Sequence, residues 1–171
     1  MTPLREGSAS VPIPGGVWVT GGTDGIGNNL KTTEIIFLNN TKRVGEQLAV
    51  GNAFHCLVKY GDKIFSTGGG GDVIGGATSS VWQFDSADNF AKVKGPEMKK
   101  TRENHACGIV HSLYHGFRPL LVVAGSYRGS TGGKNSEYWD FTVPGSTWQL
   151  CSKSYSFSLI HHYFLKQYAN L

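Results

Sequence analysis

The chain has 171 residues and a formal net charge of +4, one domain's worth of material whose modest charge, free of any block of like sign, gives no reason to expect nucleic acid as a partner. No apolar run approaches the roughly 20 residues that span a membrane, and residues 1–16, with Pro3, Pro12 and Pro14, lack the continuous apolar core of a secretory signal. The 24 glycines are clustered, and Val, Ile, Thr and aromatic residues fill the gaps between clusters, so short strands joined by tight turns, an all-β class, are expected.

In chain order, residues 1–14 read as an unstructured N-terminal segment. Val17-Trp18-Val19-Thr20 then forms a strand running into Gly21-Gly22, a polar loop spans Thr23 to Thr33, and Glu34-Ile35-Ile36-Phe37 forms the next strand. The same order recurs with Ile64-Phe65-Ser66-Thr67, the pair Gly68-Gly69, the loop Gly70 to Ser79, and Val81-Trp82-Gln83-Phe84-Asp85. It comes a third time with Leu121-Val122-Val123, the pair Ala124-Gly125, the loop Ser126 to Ser136, and Glu137-Tyr138-Trp139-Asp140. A further aromatic, Phe90 or Trp148, follows the second and third of these, Met98 closes the middle unit, and strands introduced by His55 and His105 open the next ones. The extra length of the third unit falls at His111 to Arg118, an insertion between two strands. Each unit thus holds about four strands, over roughly 15–50, 53–100 and 103–151, and the tail 152–171 matches no repeat position.

A strand ending in a glycine pair, an aromatic-acidic strand and a spaced Trp or Met, recurring about every 50 residues, resembles the kelch repeat. The resemblance covers roughly residues 15–151 and rests on Gly21, Gly22, Gly68, Gly69, Gly125, Phe84, Trp139 and Trp148. It implies an incomplete kelch-type β-propeller of about three four-stranded antiparallel blades. Propellers close with 4–8 blades, so three leave open edges and are expected to belong to a longer ring or to self-associate through those edges.

Two motifs suggest chemistry instead. Thr20-Gly21-Gly22-Thr23-Asp24-Gly25-Ile26-Gly27 resembles the dinucleotide loop of short-chain dehydrogenases, where glycines let a helix N-terminus approach a pyrophosphate; the β-branched stretch after it and the absence of a Tyr-x-x-x-Lys pair weigh against that alternative. Cys107, His111 and His115 have the four-residue spacing of helical zinc ligands but fall on an expected strand and its loop. Neither an enzyme nor a cofactor or metal is expected. The three cysteines, Cys56, Cys107 and Cys151, lack metal-motif spacing and disulfide-scaffold density and leave the compartment open between a cytoplasmic reading, slightly favoured, and an extracellular one. Asn39-Asn40-Thr41 is a glycosylation sequon that matters only in a secreted chain.

The expected function is protein–protein interaction through loops on a rigid scaffold. In kelch adaptors that resemble this pattern, an Arg between one blade's Met and the next blade's first strand recognises acidic peptides. That implies Arg102 as the leading binding residue, with Asn104, Tyr127 and Arg128 beside it, since arginine forks to carboxylates and tyrosine offers a rigid contact. The alternative is a piece of a secreted carbohydrate-related propeller, lectin-like or oxidase-type.

Overall fold

A computed structural model describes residues 4–71, 76–126 and 135–151. The chain is all-β, with three four-stranded antiparallel sheets in which spatial order follows chain order. Sheet I contains β1 (Ala9–Ile13), β2 (Gly16–Thr20), β3 (Thr33–Phe37) and β4 (Lys42–Val44). Sheet II contains β5 (Cys56–Tyr60), β6 (Lys63–Thr67), β7 (Val81–Asp85) and β8 (Ala91–Lys94). Sheet III contains β9 (Ala106–Ser112), β10 (Arg118–Ala124), β11 (Ser136–Trp139) and β12 (Gln149–Leu150). The first strands of the sheets adjoin in turn, β1 against β5 and β5 against β9.

The first sheet begins earlier than the sequence suggests. Residues 4–14 are not an unstructured segment: β1 pairs with β2 from Ala9 opposite Thr20 to Ile13 opposite Gly16. Pro12 sits within this strand, which is tolerated because β1 is an edge of its own sheet and the missing N–H leaves no ladder partner wanting. The insertion at His111 to Arg118 lengthens a hairpin: β9 and β10 run seven residues each and meet through a 3-10 turn at Leu113–His115.

Alternation along the second strand of each sheet decides the packing, because successive side chains point to opposite faces. Trp18 and Ile35 of sheet I meet Ile64, Phe84 and Phe90 of sheet II in one core. Phe65, the neighbour of Ile64, points the other way and joins Val81, Met98, Leu121, Val123, Trp139 and Trp148 in the second core, between sheets II and III. Trp18 lies edge-on to Phe84 at 5.0 Å and against Phe90 at 4.6 Å, spacings at which aromatic pairs add to area burial. Trp148, fully buried, donates its Nε1–H to the Pro96 carbonyl of sheet II at 2.9 Å. A disulfide joins Cys56 of β5 to Cys107 of β9 across the same boundary, leaving Cys151 free.

The outer strands β4, β8 and β12 have three, four and two residues. Short edge strands carrying charge, here Lys42 and Arg43 on β4 and Lys92 and Lys94 on β8, resist pairing with another chain's backbone.

Candidate interaction rim

Each sheet has two ends with different loop chemistry. At one end lie the tight hairpins β1–β2, β3–β4, β5–β6 and β7–β8. At the other, the segment before the first strand, the loop between the second and third strands, and the connection to the next sheet lie side by side. The ladder dictates this: in sheet I the start of β1, the end of β2, the start of β3 and the end of β4 share one level, with Ala9 opposite Thr20, Thr20 opposite Thr33, and Glu34 opposite Val44.

At this second end a three-residue element repeats. Arg5-Glu6-Gly7, Asn52-Ala53-Phe54 and Arg102-Glu103-Asn104 each end on a residue with positive φ (62°, 57° and 49°), and each begins with a side chain that donates to the carbonyl of the glycine after the sheet's second strand. Arg5 Nη1 donates to Gly21 O at 2.8 Å, Asn52 Nδ2 to Gly68 O at 2.9 Å and Arg102 Nη1 to Gly125 O at 2.7 Å. Gly125 is therefore the counterpart of Gly21 and Gly68, and the third pair is Gly125-Ser126 rather than Ala124-Gly125, one residue from where the sequence pattern sets it.

The two arginines also close on a carboxylate from the third strand. Arg5 Nη2 reaches Glu34 Oε1 at 2.8 Å and Arg102 Nη2 reaches Glu137 Oε1 at 2.9 Å. Glu34 stands opposite Val19 and Glu137 opposite Val123, equivalent ladder positions; in sheet II that position is Trp82, opposite Ser66, and the arginine is replaced by Asn52. An arginine is used where its carboxylate is present and a neutral amide where it is not, as the cost of burying an unpaired guanidinium requires.

This corrects the reading of Arg102. Its side chain is fully buried, as is that of Glu137, whose other oxygen accepts the Lys99 backbone N–H at 2.6 Å. The guanidinium does bind a carboxylate, but an internal one, and has no accessible face for an acidic peptide. Asn104 is exposed, its backbone held by donation of its N–H to Phe54 O at 2.9 Å. Tyr127 and Arg128 lie outside the described residues, as does the tail 152–171.

Links between sheets repeat at this end as well. Gly22 N–H donates to Asn52 O, and Gly69 N–H to Arg102 O, both at 2.8 Å. His55 pairs through Nε2 with Thr20 Oγ1 at 2.7 Å and His105 with Thr67 Oγ1 at 2.8 Å, each histidine reaching back to the preceding sheet. Nδ1 of both rings is buried without a hydrogen-bond partner. Burial disfavours the charged imidazolium and lowers His55 to about 4. His105 falls to about 3 through burial first, then the nearby Arg102 charge and His55. Both rings are neutral structural links at neutral pH.

The dinucleotide-loop alternative does not survive this geometry. After Gly21-Gly22 the chain forms bridges between Thr23 and Asn29, Asp24 Oδ1 accepts the Asn28 N–H at 2.8 Å, and β3 returns antiparallel to β2. The loop therefore opens no helix whose N-terminus could receive a pyrophosphate. Cys107 is bonded to Cys56 and unavailable as a zinc ligand, and His115 packs on Tyr138 at 5.4 Å.

The loops of adjoining sheets are tied into one surface. Asn29 Nδ2 donates to Gly71 O, Gly70 N–H to Ala53 O at 2.8 Å, Thr78 bridges Arg102, and Glu103 N–H donates to Ser126 Oγ at 3.2 Å. Ile26 projects from it, 86% exposed, and Glu6, Asn28 and Asn104 are exposed on it. Comparison with protein-family models and with curated proteins finds no match.

Proposed function

We propose that the chain is three blades of a kelch-type β-propeller and serves as a protein-interaction module, its partner recognised on the rim formed by residues 23–32, 70–71, 76–79 and 103–104. The observation that carries this reading is the continuity of that rim: loops from three separate sheets are hydrogen-bonded to one another over a scaffold that repeats its own internal supports. Rigid elements presenting exposed loops at one end are the usual setting for recognition, and Ile26 supplies an exposed apolar contact beside polar ones.

Further blades or a second copy would extend the ring from sheet I. Its face away from sheet II carries Val17, Val19 and Ile36, at the ladder positions that in sheet II hold Ile64, Ser66 and Phe84. Ile64 and Phe84 are buried against sheet I, whereas Val17 is 37% exposed. The Cys56–Cys107 disulfide favours an oxidising compartment, and with it the second reading, a secreted carbohydrate-related propeller.

Photo-crosslinking residues introduced at Ile26, at Asn104 and, on the outer edge, at Val93 test the assignment. Rim positions should capture a partner that Val93 does not, and Ile26→Asp should weaken the purified pair at least about tenfold, the scale of one lost apolar anchor. Equal capture at all three positions refutes the rim; binding confined to oligosaccharides moves the conclusion to the carbohydrate reading.

A further inference from the structure

The hairpin between β3 and β4 lies at the opposite end of sheet I from the interaction rim. Its turn contains Asn39-Asn40-Thr41, all three residues exposed. Thr41 donates both its Oγ1–H, at 2.6 Å, and its backbone N–H, at 3.1 Å, to Asn39 Oδ1. Asn40 between them has a φ of 63°, which lets the chain fold back so that the two side chains meet. Among the described residues, Asn39 Nδ2 makes no hydrogen bond. A hydroxyl bound to the amide oxygen draws electron density from it and makes the amide nitrogen easier to deprotonate, and Asn39 is exposed with Oδ1 engaged in this way.

An independent feature favours a compartment where that nitrogen would meet a glycosyl donor. Cys56 and Cys107 are bonded, and stable disulfides belong to oxidising compartments of the secretory route or the cell exterior. The same route carries out transfer of oligosaccharide to Asn-x-Thr.

We propose that Asn39 is a site of N-linked glycosylation. In the transfer a bond forms between Asn39 Nδ2 and the anomeric carbon of an oligosaccharide carried on a polyprenyl diphosphate. The bond from that carbon to the diphosphate oxygen breaks, the diphosphate leaves with the electron pair, and the amide proton passes to a base of the transferring enzyme. The glycan would stand over Leu38, 86% exposed at the same turn, shielding an apolar side chain beside the edge strand β4 from other chains. It would leave the interaction rim clear, so the site does not depend on what the rim binds.

The test uses the full chain recovered from its native cells. Trypsin releases Thr32–Lys42, and peptide N-glycosidase in heavy-oxygen water converts a glycosylated asparagine to a labelled aspartate. The label should fall on Asn39 and not on Asn40, persist in Thr41→Ser, and vanish in Thr41→Ala. Unlabelled Thr32–Lys42 as the bulk product overturns the proposal, as does label that survives in Thr41→Ala. Asn39→Gln should leave the thermal midpoint within a few degrees of the deglycosylated parent, which separates loss of the glycan from loss of the fold.

Discussion

Removing the carboxylate of Glu137 tests whether Arg102 is a structural residue. In Glu137→Ala the guanidinium keeps its bond to Gly125 O but loses both contacts to Glu137 Oε1, at 2.9 and 3.2 Å, and the Lys99 N–H loses its acceptor. Both side chains have zero exposure, so water cannot take over. Breaking one partner of such a pair costs about 3–5 kcal/mol, which for a domain of this size lowers Tm by roughly 10 °C. Arg102→Met should cost a similar amount, because it strands the carboxylate instead. The double variant Arg102→Met/Glu137→Ala should cost far less than the two singles together, since no buried charge is left behind. Urea unfolding of the four proteins, at constant m, gives the coupling directly. Single variants that each cost under about 1 kcal/mol, or singles that simply add, would refute the buried-clamp account and return Arg102 to the surface role expected of an exposed ion pair.

Two further outcomes follow from the links between sheets. His55 is about 4 in the folded chain and 6.5 as a free group, so below pH 6.5 the unfolded chain takes up a proton that the folded one refuses. Stability should therefore fall as pH drops from 6.5 to 4, His55 contributing about 3 kcal/mol at the limit and His105 adding to it in the same direction, and the urea midpoint of His55→Asn should be less steep over that window; a parent midpoint that is flat from pH 7 to 4.5 contradicts the assignment. The Cys56–Cys107 bond closes a loop with a sequence separation of 51, for which chain entropy gives about 4 kcal/mol, so Cys56→Ser should lose most of that in urea. An unchanged midpoint would mean that the packing of sheets II and III alone fixes their contact.

Strands and sheets were legible because their signals are local. Alternation at Val17 to Thr20 and Ile64 to Thr67, with glycines immediately after, is written in neighbouring residues, and all three antiparallel pairs appear where those patterns stand. β1 was hidden because Pro12 argues against a strand, and only the strand's edge position makes it acceptable. Its buried-exposed alternation at Ala9, Ser10 and Val11 is a signal that could have found it. The site was less legible. Nothing within Met98 to Asn104 says whether Arg102 faces a partner's carboxylate or one of its own, since Glu137 is 35 residues away.

The signal that would have distinguished the two is internal comparison rather than inspection of the single segment. Arg5-Glu6 and Arg102-Glu103 stand ahead of the first and third units, and those same units carry Glu34 and Glu137 at matching places on the third strand. The middle unit lacks both members, having Asn52 and Trp82. A surface arginine used for recognition has no reason to vary together with a buried strand position, whereas an internal ion pair must gain or lose both partners together, because either one alone is a buried uncompensated charge. The repeat thus contains its own control experiment. Sheet II shows that the glycine carbonyl can be satisfied by an amide as short as Asn52, at 2.9 Å, so the arginine in sheets I and III is required by the glutamate it meets and not by the turn it supports. Under the proposed function, recognition on the rim falls to exposed side chains that the scaffold leaves unspent, and Ile26, 86% exposed, is the position where a substitution should change binding without changing the fold.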